Sequence, residues 1–400
     1  MIYNLSRMRR AVWSDDLDTA LEFSSPETFS ISTTKNWDGK LEYTNGNGWK
    51  IWDGSEISSG QSSKGQCIYI RGTGNSKITG TISSNVKWSI TGTNIACNGD
   101  IDLLLDYTTV KSGNHPVMAN YCYSDIFKDC TSLTTAPSLP ATKLVYNCYY
   151  GMFDGCTSLT TAPSLPATTL ANSCYDFMFS GCTRLTAAPA LPATTLADSC
   201  YSYMFSGCTR LTAAPALPAT TLANYCYYGM FSGCTSLTTA PSLPVNTLAN
   251  NCYFYMFRNC TNLTTAPSLP ATTLTYECYY GMFYGCTRLT TAPALPATTL
   301  AENCYAFMFY GCTNLTTAPS LPATTLANYC YNSIFSGCTK IKLSTTASGT
   351  YTKSYRIPKN GTGTTAKNAT YNMFSNTGGT FTGTPTINTT YYLDKSNTIV

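Results

Sequence analysis

The chain of 400 residues is 43% hydrophobic but only 11% charged, and its formal net charge is +4. That length suits two or three domains with a real hydrophobic core, whereas the small net charge argues against a strong field for holding nucleic acid. The single histidine, His115, argues against catalytic triads, histidine acid–base pairs and histidine metal clusters.

The chain starts with the basic segment MIYNLSRMRR, which no apolar stretch follows. The sequence therefore predicts no signal peptide, and it has no run of about 18 apolar residues that could insert into a membrane. We expect a protein that is made in a reducing cytoplasm and stays there or leaves by lysis. Residues 1–12 are interpreted as a docking segment, with Arg7, Arg9 and Arg10 as docking candidates, or else as a solvated tail.

Residues 13–110 hold all five tryptophans and predict a β-rich, sandwich-like antiparallel domain. Short β-prone runs alternate there with Gly, Asn and Ser clusters. The predicted strands are Thr28–Thr33, Leu41–Thr44, Cys67–Arg71 and Val86–Thr91. Asn45-Gly46-Asn47-Gly48, between LEYT and WKIW, indicates a hairpin. Residues 111–121 form a connector, in which His115 is expected to be solvated or locally hydrogen-bonded.

Eighteen of the 20 cysteines form nine pairs that define a repeat array. The two cysteines of a pair are eight positions apart, and successive pairs are 26 apart: 122/130, 148/156, 174/182, 200/208, 226/234, 252/260, 278/286, 304/312 and 330/338. Residues 122–345 are therefore predicted to be a solenoid of eight complete 26-residue units and a partial ninth, each buried only by stacking on its neighbours.

Two periodicities alternate within one unit. Leu170, Cys174 and Met178 recur every four residues, which predicts a short helix that buries one stripe. A three-residue recurrence then predicts a coil that begins with a short strand near Leu-Thr-Thr-Ala; it consists of Phe179, Cys182, Leu185, Ala188 and Leu191.

Proline limits the length of that strand. Sixteen prolines form two ladders, one at 137, 163, 189, 215, 241, 267, 293 and 319, the other three residues later in each unit. Proline donates no ladder hydrogen bond, so an extended segment outside the sheet should follow the strand. Strands stack at about 4.8 Å and helices need roughly 10 Å, which predicts an α+β repeat protein whose solenoid curves with its helices outside.

Residues 346–400 are predicted to cap the array. Ala369, Met373 and Phe374 repeat the Cys/Met/Phe frame, with alanine for the first cysteine and Thr377 for the second. This degenerate unit is expected to seal the end of the stack, as open repeat arrays require.

The repeat resembles the BspA-like class of leucine-rich repeats, through Phe153-Asp-Gly-Cys156-Thr-Ser-Leu159 and the Leu165-Pro166 step that follows. The resemblance implies a leucine-rich-repeat solenoid, although this unit is three residues longer than that of the class. The phrases MFSGCTSLTTAPSLPATTLANYCYYG, NMFSNTGGTFTGTPTINTTYY and WSITGTNIACNGDIDLLLDY also resemble proteins encoded by gut bacteriophages and prophages, where such chains are thought to be virion surface, tail or fibre components.

The cysteines have three interpretations. Buried thiols are favoured, because the first cysteine lies on the four-residue stripe and the second follows Gly, Asn or Asp, where a small polar atom can satisfy turn amides. Disulfides within a pair would need two Cα atoms on either side of a helix to come within bridging range. Metal binding fits no common zinc pattern, because no histidine or close carboxylate accompanies the thiols.

The candidate binding residues lie where the units differ. They are the two residues after Cys-Tyr and the one after the constant Phe, positions rich in Tyr, Phe, Ser, Gly and Asp, as in paratopes. Such positions should face solvent, as a binding surface or as an outer face under neutral drift, while the constant tyrosines pack between coils. The ligand-binding candidates are Tyr150, Phe177, Tyr203, Tyr228, Phe254, Tyr255, Arg258, Tyr280, Tyr284, Phe307 and Tyr310.

The predicted function is structural and adhesive. The phage resemblance implies a virion surface protein, made in the host cytoplasm, that docks to other virion proteins through its N-terminal region and presents the solenoid to a host cell-surface protein or a glycan or mucosal ligand. A homo-oligomer is possible. The alternative is a bacterial cell-surface adhesin, but such adhesins normally carry an export signal.

Cofactors are not expected, and neither is an enzyme of cell-wall glycans, since the array has no repeated carboxylate pair. An ice-binding threonine face would need a regular Thr-x-Thr pattern, so the threonines are assigned to solubility and β propensity.

Overall fold

The computed structural model describes residues 16–80, 86–359, 364 and 366–400. The docking candidates Arg7, Arg9 and Arg10 lie outside these residues. The described helices are a 3₁₀ turn at Leu17–Thr19 and one α-helix, α1 Leu103–Lys111. Neither is long and apolar enough to cross a membrane.

The described part of the N-terminal region contains nine strands. They are β1 Leu21–Ser25, β2 Ser30–Ser32, β3 Lys40–Thr44, β4 Lys50–Trp52, β5 Ile57–Ser58, β6 Gly60–Ser62, β7 Gly65–Thr73, β8 Ser89–Thr91 and β9 Ile95–Asn98. The larger sheet has the order β9-β1-β7-β3-β4, with β6 also on β7, and the smaller sheet has the order β5-β2-β8. The predicted hairpin is confirmed, because Leu41 of β3 lies opposite Trp52 of β4.

The two sheets share one core. Trp88 packs against Trp52 and Phe23, with ring centroids 5.1 Å and 5.9 Å apart, and Ile31 and Ile57 of the smaller sheet are buried in the same cluster. Aromatic pairs of this kind contribute about 0.5–1.5 kcal/mol beyond the area they bury. A sandwich arrangement of the two sheets stays a prediction.

The sheet continues directly into the solenoid. The first coil contributes β10 Leu133–Thr135, which pairs in parallel with β9. Below this junction the hydroxyl of Tyr123 donates to the buried carboxylate of Asp102 over 3.0 Å, and His115 Nδ1 lies 3.4 Å from the same carboxylate. The hydrophobic core is therefore continuous from the N-terminal sheets into the array.

The predicted helix in each unit is wrong. In the coil that starts at Cys252, backbone N–H groups alternate between two kinds of acceptor. Tyr253, Tyr255 and Phe257 donate to the next coil, to Cys278, Tyr280 and Met282, over 2.9–3.0 Å. The residues between them close tight turns on the carbonyl three positions back, as Met256 does on Tyr253 (3.2 Å).

Positive φ angles explain why no helix forms. Asn251, Tyr255 and Asn259 have φ of 55°, 51° and 57°. All the remaining coils have the same left-handed conformation at the same three positions. An L-residue with left-handed φ interrupts a right-handed helix. In every second tight turn the left-handed residue is the second of the two central residues, as in a type II turn. Two turns use four residues, so a four-residue hydrophobic period arises without a helix.

The predicted short strand is present at both ends of the array. β10 lies in the first coil and β11 Thr317–Ala318 in the eighth, while the coils between them form single parallel bridges such as Thr239 to Thr265 and Thr265 to Thr291. The α+β label is thus not supported by the repeats, which consist of turns and bridges. The predicted arc rested on helix width, and the repeats contain no helix to supply it.

Two ladders of rings run through the solenoid core. The constant phenylalanines stack from Phe127 to Phe374 with centroids 5.5–5.8 Å apart and planes within 14°. The constant tyrosines stack from Tyr123 to Tyr331 at 5.7–6.0 Å. The prediction that these tyrosines pack between coils is confirmed.

All 20 cysteines are free and buried. The second thiol of each pair, from Cys156 to Cys338, donates to the carbonyl of the constant Phe one coil back, over 3.0–3.2 Å. The prediction that these cysteines accept hydrogen bonds from turn amides is therefore wrong, because the thiol donates to a carbonyl instead. Burial raises the pKa of these thiols, that of Cys234 to about 12.

The C-terminal segment closes the stack. Phe374 extends the phenylalanine ladder, 5.5 Å from Phe335, and the Tyr331 N–H donates to Ala369. A four-stranded sheet in the order β13-β15-β12-β14 covers this end; its strands are β12 Lys342–Ser344, β13 Tyr351–Ile357, β14 Gly378–Gly379 and β15 Thr389–Asp394. β16 Thr398–Ile399 returns to pair with β11, which supports the predicted terminal unit.

Thiol accessibility tests this packing. Ellman's reagent at pH 8 should leave the native protein nearly unreactive, because the thiolate is the reactive form and burial disfavours it. All 20 thiols should react after unfolding in guanidinium without reductant. Each disulfide, were one present, would lower that count by two.

Candidate binding surface

The predicted ligand-binding residues lie in three columns along the solenoid. The coils repeat every 26 residues, so the two residues after Cys-Tyr and the one after the constant Phe each recur at a fixed place on successive coils. The first column includes Tyr150, Tyr228, Phe254 and Tyr280; the second includes Phe177, Tyr203, Tyr255 and Phe307; the third includes Arg258, Tyr284 and Tyr310. We call the ten rings of these columns the aromatic surface.

The first column contains a close stack of three rings. Phe254 lies 4.5 Å from Tyr228 on one side and 4.5 Å from Tyr280 on the other, with planes within 6°. These centroid distances are shorter than those of the core ladders, at the near end of the range for offset stacking. Three successive coils therefore present one continuous aromatic stack.

The other columns join this stack at its edges. Tyr203 meets Tyr228 edge to face at 5.1 Å, and Phe177 stacks on Tyr203 at 4.8 Å. Further along, Tyr280 approaches Phe307 at 5.4 Å. Contacts of 6.1 Å or less thus connect all ten rings, with the remaining links between Tyr150 and Phe177, Tyr255 and Tyr284, Tyr284 and Tyr310, and Phe307 and Tyr310.

Arg258 is the one charged candidate, and it lies over the rings. Its guanidinium carbon is 5.0 Å from the centroid of Tyr255 and 5.6 Å from that of Tyr284. A cation above a ring face at this range is attracted by the ring quadrupole. Arg258 itself is exposed, so its hydrogen-bond donors remain available on the surface.

The expectation that the variable positions face solvent is only partly right. Most rings of the aromatic surface are half-buried, because they cover one another, and Phe254 is only 9% exposed. Ser202, Ala306 and Ser333 are buried outright. Close stacking between coils removes the area that a single coil would have exposed.

Glycine in the second column makes room for the preceding ring. A Cβ atom added to Gly281 would overlap the ring of Tyr255, and one added to Gly229 would overlap the ring of Tyr203. Each tyrosine therefore lies over the backbone of the following coil. At these two contacts a ring is followed by glycine one coil on, whereas Phe177 is followed by Tyr203 and stacks on it.

The second column also holds bulky residues in a strained conformation. Phe177, Tyr203, Tyr255 and Phe307 have φ between 48° and 57°, where three other coils have glycine and the first and ninth have Asp125 and Ser333. A non-glycine residue held in this region costs about 1–3 kcal/mol, and such residues concentrate at functional sites. The aromatic surface is thus maintained against a backbone preference for glycine.

A group of charges, absent from the predicted set, lies at the N-terminal end of the aromatic surface. Lys128 Nζ is 3.6 Å from Asp125 and 3.2 Å from Asp154. Burial and the charges of Asp176, Asp125 and Asp154 raise the pKa of Tyr150. These charged residues occupy the same columns as the rings, so their positions in the repeat could have identified them. They were not predicted because the candidates were chosen mainly for aromatic character.

The described part of the chain has concave regions away from this surface. A recess of about 330 Å³ in the N-terminal region contains the Glu22–Lys64 ion pair. Apolar grooves of about 240–460 Å³ lie between the proline segments of adjacent coils. No three His, Cys, Asp or Glu side chains among the described residues are placed to hold a metal ion.

Comparison with known proteins gives one family. Residues 120–264 and 250–377 match the model of the BspA type leucine-rich repeat region, in six copies. The match runs through the degenerate terminal unit around Ala369. No curated protein matches the chain in sequence.

Two glycines test the contact between neighbouring coils. Gly281 and Gly349 have nearly the same φ, 55° and 56°, but an added Cβ meets nothing within 4 Å at Gly349. Gly349→Ala should cost about 1–2 kcal/mol of unfolding free energy from the backbone alone. Gly281→Ala should cost at least about 1 kcal/mol more, because Tyr255 must leave its place. Equal losses in urea denaturation would contradict the proposed contact.

Proposed function

The chain belongs to the BspA-type leucine-rich repeat family, and from this premise we propose that it binds a ligand through the aromatic surface as a phage virion surface or fibre protein. Repeats of this type indicate a surface or adhesion-type repeat protein. The finer assignment, to a virion, is supported by the resemblance of its repeat, closing and lead-in phrases to proteins encoded by gut phages.

The continuous aromatic surface is the observation that carries the proposal. Ten rings connected over seven coils, with Arg258 on top of them, combine apolar area with hydroxyl and guanidinium donors. Tyr and Phe supply rigid contact area at low entropic cost, and ring faces and edges suit stacking against sugars. The matched glycines and the strained second column are the structural support for selection on this surface.

The ligand we propose is a glycan or a host cell-surface protein. The charged groups at the surface are few, so the salt-dependent attraction that nucleic acids need is not provided. No catalytic or cofactor role is proposed, since the surface carries no carboxylate pair arranged around a cleft. The N-terminal region, including Arg7, Arg9 and Arg10, would dock to other virion proteins, and a homo-oligomer remains part of the proposal.

A bacterial cell-surface adhesin is the second candidate. The family match favours it, because the same repeat type indicates surface or adhesion-type proteins. The two candidates share the aromatic surface as binding site and differ in what the N-terminal region is attached to.

Particle composition separates the two candidates. Mass spectrometry of gradient-purified virions from a producing host should detect this chain in amounts comparable to other structural proteins. Detection only in the bacterial envelope fraction would assign the adhesin role and reject the virion role.

Substitutions in the third column test the binding surface. Tyr284→Ala combined with Tyr310→Ala removes a ring pair stacked at 4.6 Å that is less buried than Phe254. Binding to host cells or glycan arrays should weaken by about tenfold or more, as expected for aromatic contact residues.

The matched control is Tyr371→Ala, an exposed tyrosine in the terminal cap. It should leave binding unchanged. Both proteins should melt within a few degrees of the wild type, so that any lost binding is not caused by unfolding. Unaltered binding by the double variant would place the ligand elsewhere.

A further inference from the structure

The first column of the aromatic surface is interrupted on two coils. Tyr150 occupies this column on the second coil and Tyr228 on the fifth, but Asp176 and Ser202 take the same place on the third and fourth. Side chains of this column point the same way, as the stack from Tyr228 to Tyr280 demonstrates. Asp176 therefore lies in a gap of the first column between Tyr150 and Tyr228, and neither ring has a ring of the same column next to it on the side of the gap.

Rings of the second column flank this interruption. Phe177 lies 5.9 Å from Tyr150, tilted by 58°, and stacks on Tyr203, which in turn meets Tyr228 edge to face. Aromatic rings thus occupy the neighbouring column positions on either side of one carboxylate and one hydroxyl. This is the only place in the column, between its first and last rings, where a polar side chain replaces a ring.

No basic side chain of the described residues forms an ion pair with the Asp176 carboxylate. Its Oδ1 atom is buried and has no hydrogen-bond partner among the described residues. Burial raises its pKa to about 7, although hydrogen bonds from Ser202 and from the Phe177 backbone favour the charged form. A partly buried carboxylate with one unpartnered oxygen and no counter-charge is stabilised by a nearby cation.

The surrounding charge favours a cation. Within the three columns, the first three coils carry three acids, Asp125, Asp154 and Asp176, and one lysine, Lys128. Lys128 pairs with Asp125 and Asp154. These column positions therefore carry an excess of acidic groups, to which Asp176 adds when it is ionised, and the ring quadrupoles nearby add attraction for a positive group.

We propose that Asp176, with Tyr150 and Phe177, binds an organic ammonium group carried by a surface glycan, either a protonated amino sugar or a choline-type substituent. This inference rests on the proposed function and names the ligand group that the same surface recognises. The carboxylate supplies the ion pair and the rings supply cation–π contact and stacking. A Ca²⁺ or Mg²⁺ ion fits poorly, because these ions require six or more oxygen ligands, or waters held by several of them.

The experiment uses the full chain at pH 8, where Asp176 is mainly ionised. Titrations followed by NMR or calorimetry compare glucosamine, choline and N-acetylglucosamine. The first two carry a positive charge and differ in substitution at nitrogen, whereas the third is a neutral sugar of similar shape. We expect glucosamine or choline to bind with a Kd in the range of about 1–10 mM, and N-acetylglucosamine at least about tenfold more weakly.

The test variant is Asp176→Asn, which keeps the shape and removes the charge. It should weaken binding of the preferred ammonium probe by about tenfold or more, with a melting temperature equal to or above that of the wild type because an unpaired buried charge is gone. Asp198→Asn, at an exposed aspartate of the same coil, is the matched control and should bind like the wild type. Preference for glucosamine over choline would identify an amino sugar, and the reverse a quaternary substituent.

Three results would overturn the inference: no binding of either ammonium probe, equal binding of N-acetylglucosamine, or undiminished binding by Asp176→Asn. These outcomes are distinguishable from failure of the proposed function. If the Tyr284/Tyr310 variant loses host binding while Asp176→Asn retains probe binding, the adhesive surface stands and the ammonium site falls. If Asp176→Asn loses probe binding while the Tyr284/Tyr310 variant adheres normally, the site stands and the wider surface does not.

Discussion

The structure depends on the alternation of backbone hydrogen bonds between neighbouring coils and within each coil. Every second N–H of the turn segment donates to the next coil, 25 residues on, and the N–H groups between them close tight turns. This pattern leaves few backbone groups of the segment without a partner, and it holds successive coils in one register. The ring ladders, the thiol bonds and the columns of variable residues all follow from that register, because each coil repeats the position of the one before it.

Much of this architecture was predictable from cysteine spacing. The 26-residue period, the buried thiols, the packed tyrosines and the degenerate unit at Ala369 all depend on which positions recur, and recurrence is visible in a sequence. The hydrophobic pattern did not reveal that the predicted helix is wrong, because a helical stripe and paired tight turns both give a four-residue hydrophobic period. Glycine before the second cysteine, such as Gly207, favours positive φ in most coils, but the other left-handed positions often hold Tyr or Ser, such as Tyr225, which give no local signal of it.

The candidate surface was predictable in membership but not in mechanism. Variation between otherwise similar coils identified the rings, and the structure brings all of them together with Arg258. The sequence variation could not indicate that Gly229 and Gly281 accommodate the tyrosine of the preceding coil. That contact is between residues 26 positions apart, where a tyrosine ring lies over the glycine backbone. Nor could composition distinguish Asp176, whose importance comes from burial and from the rings beside it.

A strictly repeating scaffold separates the energetics of folding from those of recognition. The core ladders and, from the second coil on, the thiol–carbonyl bonds repeat from coil to coil, so their contribution to stability scales with the number of coils. The three variable columns can then change residue type with consequences confined to adjacent coils, within limits set by ring stacking and by the left-handed backbone. Specificity in such a surface resides in the order of side chains along the axis: where rings follow one another they present an apolar stack, and where an acid interrupts them, as Asp176 does, they create a defined polar position inside it.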